Sequence, residues 1–387
     1  MIERIVFWFI TPPNNMKSII EYFCQNWTGS VRLVSLHHVT EERRKVGWNS
    51  QLDVDVALEI LDDHNDPEAY GEHVLKTEIN SIHIFCGITK GPGKYLHMYK
   101  RIKRNNGCAF VISEPKSLVG SKSKIILKRV FGKIYYIMER ISVQKCVKGV
   151  FVTGSSGVRQ FEKYGWDSNY IFNFMYTPYY RRNDKATDVI KKKTNEELRF
   201  LYIGRFNFYT RGLDTLMKAI EGLPNEAKWK LTLVGGYGEN SKQVIDWSKR
   251  NNNVEYLGSW NPDTVSQRMA DYDVYICPTN IDGWNTQINE ALLANTGVIT
   301  TDAAGSDELI NASKAGIVFD KGDSKALKEA MIYCLDNPSI IIQWSERANQ
   351  YKNCIHPNTV SMYMIECIKY ALGEKEKKPN CPWVKSS

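Results

Sequence analysis

Short apolar runs alternate with longer amphipathic stretches along the whole chain, and this alternation predicts an α/β fold. The predicted strands of the first half are residues 5–9, 31–36, 81–85, 109–113 and 149–153. In the second half, predicted strands begin at Leu198, Trp229, Val254 and Tyr272. Each run is short, apolar and bounded by turn-forming residues, as expected for buried strands. The pattern therefore predicts two successive α/β halves.

The length of 387 residues predicts about two domains. In residues 181–197 charged and polar side chains crowd together and the apolar periodicity disappears, so this segment is the predicted linker. It separates a predicted first domain, residues 1–180, from a second, residues 198–350. Residues 351–372 contain a predicted late helix, and residues 373–387 form a lysine-rich tail.

Composition excludes several classes of protein. Hydrophobic residues make up 43% of the chain, which is enough for ordinary cores. Nine cysteines without a C-x-x-C pair argue against a zinc site or a disulfide framework and favour a reducing cytosol. The sequence contains no apolar run of the roughly 18 to 20 residues that a membrane-spanning helix needs. Residues 2–10 carry Glu3 and Arg4 and are too short for the full pattern of a signal peptide, so they are predicted to form a first buried strand instead.

Two carboxylates, Asp282 and Glu290, lie eight residues apart across a predicted strand-to-helix turn. The helix begins near Thr286, and its unpaired N–H groups and positive dipole end can hold phosphate or sugar oxygens. Either carboxylate could accept hydrogen bonds from ligand hydroxyls. Taken alone, each would more simply be a charge near a helix N-terminus or on a solvated face.

Arginines and glycines end the neighbouring predicted strands. Arg205 follows Gly204 at one strand end, and Arg211 precedes Gly212 at the start of an amphipathic helix. Because guanidinium binds phosphate through a bidentate fork, the two arginines are candidate ligands of a diphosphate. The next strands end in Gly235 and Gly236 and in Gly258, where the backbone can approach a ligand closely.

In this order and spacing, residues 198–320 resemble the nucleotide-sugar-binding half of retaining glycosyltransferases of family 4. The motifs that carry the resemblance are Gly204-Arg205, Arg211-Gly212, Val234-Gly235, Leu257-Gly258, Pro278-Thr279, the two acids, and the glycine-rich segment 301–310. The resemblance implies the GT-B fold, in which two Rossmann-like domains with parallel sheets face each other. It also implies that a helix within residues 351–372 packs back on the first domain.

Carried over by position, the resemblance assigns roles to individual residues. Arg205 and Arg211 would neutralise the diphosphate, Glu290 would hold the ribose hydroxyls, and Asp282 would hold the transferred sugar. The expected donor-binding residues also include Gly204, Gly235, Gly236, Gly258, Gly283, Trp284, Asn285 and Thr286. Three positions depart from the family pattern, because Asp282 replaces Glu, Arg211 replaces Lys and Asn285 replaces Gly. None of these changes removes a needed charge.

The resemblance further implies retaining transfer of a hexose-type sugar from a nucleotide sugar to a saccharide or lipid-linked acceptor. Bacterial enzymes of this kind serve polysaccharide biosynthesis, such as capsule or O-antigen, and most often use donors linked to uridine diphosphate (UDP). Neither a metal nor another cofactor is expected, since the arginines can neutralise the leaving group. In the first domain the acceptor-side candidates are Asn14, Gly87 and Glu114. Glu114 lies where family members often carry a histidine.

Positive charge concentrates in residues 90–150, where 15 Lys and Arg stand against two Glu, an excess of 13 in a chain of net charge +8. Residues 118–150 interleave these charges with apolar residues in a basic amphipathic pattern. Such a helix can lie on an anionic bilayer. It can equally face a core with its other side solvated. The resemblance favours the bilayer, and hence a cytoplasmic protein at the inner face of the membrane.

Two other functions are open to this sequence. Lys100 to Arg104, with nearby tyrosines, could bind nucleic acid, but no recognised nucleic-acid motif is present and none is expected as a partner. A sugar-nucleotide epimerase of the same fold would return an intact sugar nucleotide, whereas a transferase releases the nucleoside diphosphate. A dehydrogenase is disfavoured because residues 10–16 contain no G-x-G-x-x-G.

Overall fold

The computed structural model describes residues 4–12, 14–45, 52, 55–88, 96–116, 122–179, 197–224, 228–236 and 238–384, and it divides into two compact units. The first unit comprises Met1–Tyr176 and Pro357–Pro382, and the second comprises Thr177–His356 and Trp383–Lys385. Apart from Glu197, the predicted linker lies outside the described residues. The second unit extends six residues past the predicted limit of 350, because its last helix continues to Ile355.

Each unit contains one parallel sheet. In the first, the described strands are β1 Arg4–Phe9, β2 Ser30–Ser35, β3 Leu58–Ile60, β4 Ile82–Cys86, β5 Cys108–Ser113, β6 Val147–Thr153 and β7 Ile171–Phe174, in the order β3-β2-β1-β4-β5-β6-β7. The second contains β8 Leu198–Arg205, β9 Trp229–Gly236, β10 Val254–Tyr256, β11 Val274–Cys277, β12 Gly297–Thr301 and β13 Gly316–Phe319, in the order β10-β9-β8-β11-β12-β13. The predicted α/β fold with parallel sheets is therefore confirmed.

Helices connect these strands, as parallel pairing requires. In chain order the described helices are α1 Lys17–Asn26, α2 Glu41–Lys45, α3 Pro67–Thr77, α4 Leu96–Arg104, α5 Lys122–Val143, α6 Gly154–Lys163, α7 Phe208–Arg211, α8 Leu213–Glu221, α9 Ser241–Ser248, α10 Val265–Met269, α11 Thr286–Leu293, α12 Asp307–Ser313, α13 Ser324–Asp336, α14 Ser339–Ile355 and α15 Pro357–Ala371. None of them is both long and apolar enough to cross a bilayer.

The central strands are buried on both faces, because helices cover each side of a parallel sheet. In β1, residues 5–9 are almost completely buried. The same core holds His83, whose Nδ1 accepts a hydrogen bond from Trp8 Nε1 at 3.1 Å and whose Nε2 lies 3.0 Å from the Glu78 carbonyl. Burial lowers the pKa of His83 to about 4. This histidine is a neutral core residue.

The late helix α15 belongs to the first unit, where it packs against α1. Asn26 Nδ2 donates a hydrogen bond to Asn358 Oδ1 at 2.7 Å. Farther along, Lys378 Nζ donates to the carbonyls of Ser168 and Ile171 at 2.7 and 2.8 Å. The segment that follows the second sheet therefore completes the first unit.

Both sheets reverse their strand order once, between β1 and β4 in the first and between β8 and β11 in the second. In open α/β sheets, ligands bind outside the carboxyl ends of the strands at such a switch point. Residues that follow β1, β4, β8 and β11 are therefore the candidates for ligand binding.

Candidate functional site

The candidate site lies at the carboxyl edge of the second sheet, around the switch point between β8 and β11. Gly204 and Arg205 end β8 and stand in register with Gly235 and Gly236 at the end of β9. Gly235 N donates to the Gly258 carbonyl just past β10 at 2.8 Å. The strand-end residues predicted from separate motifs thus share one edge of the sheet.

The loop after β11 is fixed against α7. The backbone N–H groups of Asn280 and Ile281 both donate to the Thr210 carbonyl, at 2.9 and 3.2 Å. Gly212, between α7 and α8, has φ +62, and a Cβ there would stand 1.9 Å from the Pro278 carbonyl oxygen. Only glycine permits this approach. The contact places Arg211, the last residue of α7, beside the loop.

Arg211 and Asp282 form an ion pair between Arg211 Nη1 and Asp282 Oδ2. The same carboxylate oxygen accepts a hydrogen bond from Asn285 Nδ2 at 3.2 Å. Burial disfavours the charged form of Arg211, but the adjacent Asp282 carboxylate holds the pKa of the guanidinium above its ordinary value. Arg211 Nε is buried without a hydrogen-bond partner among the described residues. The pair therefore leaves donor capacity of the guanidinium unused.

The glycine-rich segment after β12 holds the other side of this loop. Asp282 N donates to the Ala303 carbonyl and Asn285 N to the Ala304 carbonyl, both at 3.1 Å. Gly305 has φ +73, and a Cβ there would lie 2.4 Å from the Gly283 carbonyl oxygen. Together, α7 and the glycine-rich segment thus fix the backbone of residues 280–285 before any ligand arrives.

Glu290 lies in the second turn of α11 and is only 7% exposed. Its Oε2 has no hydrogen-bond partner within the described residues. Burial raises the pKa of the Glu290 carboxyl to about 8. A buried polar atom without a partner is costly and is rarely retained without a reason. Hydroxyl groups of a bound ligand would satisfy it.

Three other predicted site residues, Trp284, Thr286 and Arg205, lie in surroundings that differ from one another. Trp284 is buried, and its Nε1 donates to Asn289 Oδ1 at 3.0 Å, so its indole anchors the loop to α11. Thr286 is the first residue of α11. Arg205 is exposed and forms no ion pair in the part of the chain that the structure describes. The structure thus joins Arg211, Asp282 and Asn285 and leaves Arg205 as a separate cation at the sheet edge.

In the first unit, all three acceptor-side candidates follow strand ends near its switch point. Asn14 begins a short 3-10 helix after β1, Gly87 follows β4, and Glu114 follows β5. The Gly87 carbonyl accepts a hydrogen bond from the Tyr99 hydroxyl at 2.9 Å. Burial and the neighbouring charge of Glu114 raise the pKa of Tyr176 well above its usual value. Tyr176 lies in none of the motifs found in the sequence and was not predicted to be a site residue.

Metal-binding side chains do not cluster in threes anywhere in the described ranges. All nine cysteines are free thiols.

A protein-family model matches most of the second unit. Residues 197–337 match the model of a family described as glycosyl transferases group 1. A phosphatidyl-myo-inositol mannosyltransferase from Mycobacterium leprae is 25% identical over 35% of this chain and 37% of the relative. The capsular polysaccharide biosynthesis glycosyltransferase CapM from Staphylococcus aureus is 25% identical over 48% of this chain and 46% of CapM. The chain therefore spans less than half the length of these curated relatives.

Solved structures extend the likeness to both units. HepE from Anabaena, crystallised in complex with UDP, matches with a TM-score of 0.70 over 95% of this chain and 100% of HepE. HepE has also been crystallised with UDP-glucose. At 13% sequence identity, the match to the UDP complex establishes the fold alone. The predicted GT-B fold, with two Rossmann-like units, is confirmed.

Proposed function

We propose that this protein, whose residues 197–337 match the model of the glycosyl transferases group 1 family, is a retaining glycosyltransferase. It moves a hexose-type sugar from a UDP-linked donor to a saccharide or lipid-linked acceptor in bacterial polysaccharide biosynthesis. The UDP and UDP-glucose complexes of HepE support the donor, and CapM supports the process. The observation that carries the proposal is the partnerless buried carboxyl of Glu290 on the helix that follows the Arg211–Asp282 pair.

Donor binding changes the partner of Arg211. The diphosphate takes the guanidinium fork, including the unpaired Nε, because phosphate oxygens accept paired N–H bonds in that geometry. Arg205 supplies a second positive charge from the end of β8. Together with the N-terminus of α11, these groups stabilise the charge that develops on the leaving diphosphate. In this mechanism neither a metal nor another cofactor takes part.

Glu290 and Asp282 hold the sugars on either side of the diphosphate. The ribose hydroxyls donate to the Glu290 carboxylate, which favours its ionised form and ends its isolation in the core. Release from Arg211 leaves Asp282 able to accept hydroxyls of the transferred sugar. The fixed backbone of residues 282–285 keeps these groups in place, so little reorganisation is needed on binding.

Acceptor binding belongs to the first unit. Asn14, Gly87 and Glu114 all lie at the carboxyl edge of its sheet, where the switch point places ligands. Glu114 is exposed. It is the strongest acceptor-side candidate, because a carboxylate can orient or deprotonate an attacking hydroxyl.

Helix α5 attaches the protein to an anionic membrane surface. Five large apolar side chains on this helix are exposed, by 43 to 65%: Phe131, Ile134, Tyr135, Met138 and Ile141. Their spacing of three and four residues places them on one face. A merely solvated face would be polar instead. Exposed Lys133 and Lys145 supply the charge that anionic lipids attract. The protein therefore works at the inner face of the cytoplasmic membrane.

The experiment that tests the proposed reaction is product analysis with a panel of nucleotide sugars. A nucleotide sugar that binds the native state raises the melting temperature, so a thermal-shift screen of the panel first identifies the donor. The expected product is free nucleoside diphosphate with the sugar on an added saccharide, its anomeric configuration unchanged. Recovery of an intact, isomerised sugar nucleotide would instead establish the epimerase.

A further inference from the structure

A cavity of about 450 Å³ opens at the amino-terminal ends of strands in the first sheet. Its walls come from the end of α5, the start of β6, the turn before β7 and the end of α15, all in the first unit. This volume is in the usual range for small-molecule sites, roughly 300–1,000 Å³. In a parallel sheet the amino and carboxyl ends of the strands lie on opposite edges, so the cavity is distinct from the acceptor-side candidates at the carboxyl edge.

Two cations line this cavity. Neither Arg140 nor Lys148 forms an ion pair with any described residue. Arg140 Nη1 donates to Gln144 Oε1 at 2.7 Å, and its guanidinium lies against Gly165, where a Cβ would stand 3.5 Å from the Arg140 Cζ. The Asp167 carboxylate also lines the cavity, but its Oδ1 already accepts the Asn169 N–H at 2.9 Å. With two cations against one carboxylate, these side chains carry a net positive charge, which favours an anionic ligand.

Aromatic rings form another part of the wall. Tyr170 is 40% exposed and packs against Tyr370 with ring centroids 6.0 Å apart. Trp166 stands nearby, packed on Phe161. The electron-rich face of an aromatic ring suits the C–H face of a sugar ring. The Gln144 amide offers polar atoms for hydroxyl groups.

From this combination we propose that the cavity binds an acidic saccharide, that is, a sugar bearing a phosphate or a carboxylate. Arg140 and Lys148 hold the anionic group while Tyr170 covers the ring. The biological role rests on the proposed function, which makes or extends saccharides: the cavity retains the acceptor or product at a second place on the enzyme. Binding itself does not depend on transfer.

Calorimetric titration with glucose 1-phosphate and glucuronate tests the proposal, with UDP present at saturation to occupy the donor site. Both acidic sugars should bind, and neutral glucose should bind at least about tenfold more weakly. Arg140→Gln and Lys148→Gln should each reduce affinity for the acidic sugars by about tenfold or more. Lys163→Gln, an exposed lysine of the same unit that does not line the cavity, should bind as the wild type does.

Equal binding of glucose, or unchanged affinity in both charge variants, would overturn the proposal. So would inorganic phosphate or uridine monophosphate binding as tightly as glucose 1-phosphate. If melting curves show that Arg140→Gln is unfolded, Tyr170→Ala replaces it, since that exposed ring can be removed without opening the core. Binding of UDP is measured in a separate titration before the sugars are added. Failure of UDP to bind would count against the donor site, whereas failure of the acidic sugars alone would count against the cavity.

Discussion

Arg211 and Asp282 lie 71 residues apart in the chain and form an ion pair at the carboxyl edge of the second sheet. The cation proposed to bind the diphosphate is therefore occupied by the carboxylate proposed to bind the sugar. The pair neutralises the positive charge of the half-buried Arg211 side chain in the free protein. It also means that the donor competes with Asp282 for Arg211.

Asp282→Asn should have opposite effects on nucleotide binding and on transfer. Loss of the carboxylate frees Arg211, so UDP should bind more tightly, by about tenfold. Transfer should fall, because the amide holds the hydroxyls of the transferred sugar less well. Calorimetry with UDP and steady-state kinetics measure the two effects. Asp302→Asn, a change at an exposed acid of the neighbouring segment, is the control. Weaker UDP binding in Asp282→Asn would contradict the competition.

Glu290→Gln should stabilise the fold and weaken donor binding. Burial raises the pKa of Glu290 from 4.5 to about 8, so the folded state holds a proton that the unfolded state loses between these values. The stability contributed by the protonated group is complete below the lower pKa and is lost as the pH rises through the upper one. At about pH 9 the variant should gain on the order of a few kcal/mol over the wild type.

Urea denaturation of both proteins across this pH range measures the difference. The gain should shrink towards zero near the lower pKa, since the carboxyl is then neutral in both states. A variant that is less stable than the wild type at the alkaline end would show that the carboxylate has a partner in the free protein.

Donor binding should release protons near neutral pH. Glu290 is largely protonated there in the free protein, and ribose hydroxyls that donate to it favour its ionised form. Calorimetric titration of UDP in two buffers with different ionisation enthalpies should reveal up to about one proton released per nucleotide. The Glu290→Gln variant provides the baseline. Equal enthalpies in the two buffers would mean that the carboxyl keeps its proton in the complex.

Removing apolar side chains from α5 should weaken attachment to membranes. The double variant Ile134→Ser/Met138→Ser removes two of the most exposed apolar side chains, which are 58 and 65% exposed. Sedimentation with phosphatidylglycerol vesicles should show less bound protein, and salt should weaken the wild-type interaction. Tyr333→Ser, at an exposed ring of the second unit, should behave as the wild type. Undiminished vesicle binding by the double variant, or a preference of the wild type for RNA over vesicles, would argue against the membrane surface.

The strands were predictable where they are long and apolar, as in β1, β5 and β8. Four strands were missed, namely β3 and β7 at the edges of the first sheet and β12 and β13 in the second. Each has only three to five residues, and the equally short β10 was predicted because a glycine at its end marked it. The resemblance of residues 198–320 to family 4 glycosyltransferases is confirmed by the family match to residues 197–337. Short motifs at strand ends can indicate a family in this way, because a parallel sheet places the carboxyl ends of its strands side by side, where they form one site.

Contacts between residues that are far apart in the chain could not be predicted from the sequence. The motifs marked Arg211 and Asp282 separately, but their pairing depends on how α7 packs against the loop after β11. The helix position of Glu290 was predicted, whereas the burial of its carboxyl depends on neighbours from other elements. Tyr176 was missed for the same reason, since its environment beside Glu114 exists only in the folded unit.

A crystal structure with UDP bound would show whether Arg211 and Glu290 form the donor site. We expect phosphate oxygens on Arg211 and Arg205, ribose hydroxyls on the Glu290 carboxylate, and a broken Arg211–Asp282 pair. A UDP molecule bound elsewhere, with Arg211 still paired to Asp282 and Glu290 still without a partner, would contradict this expectation.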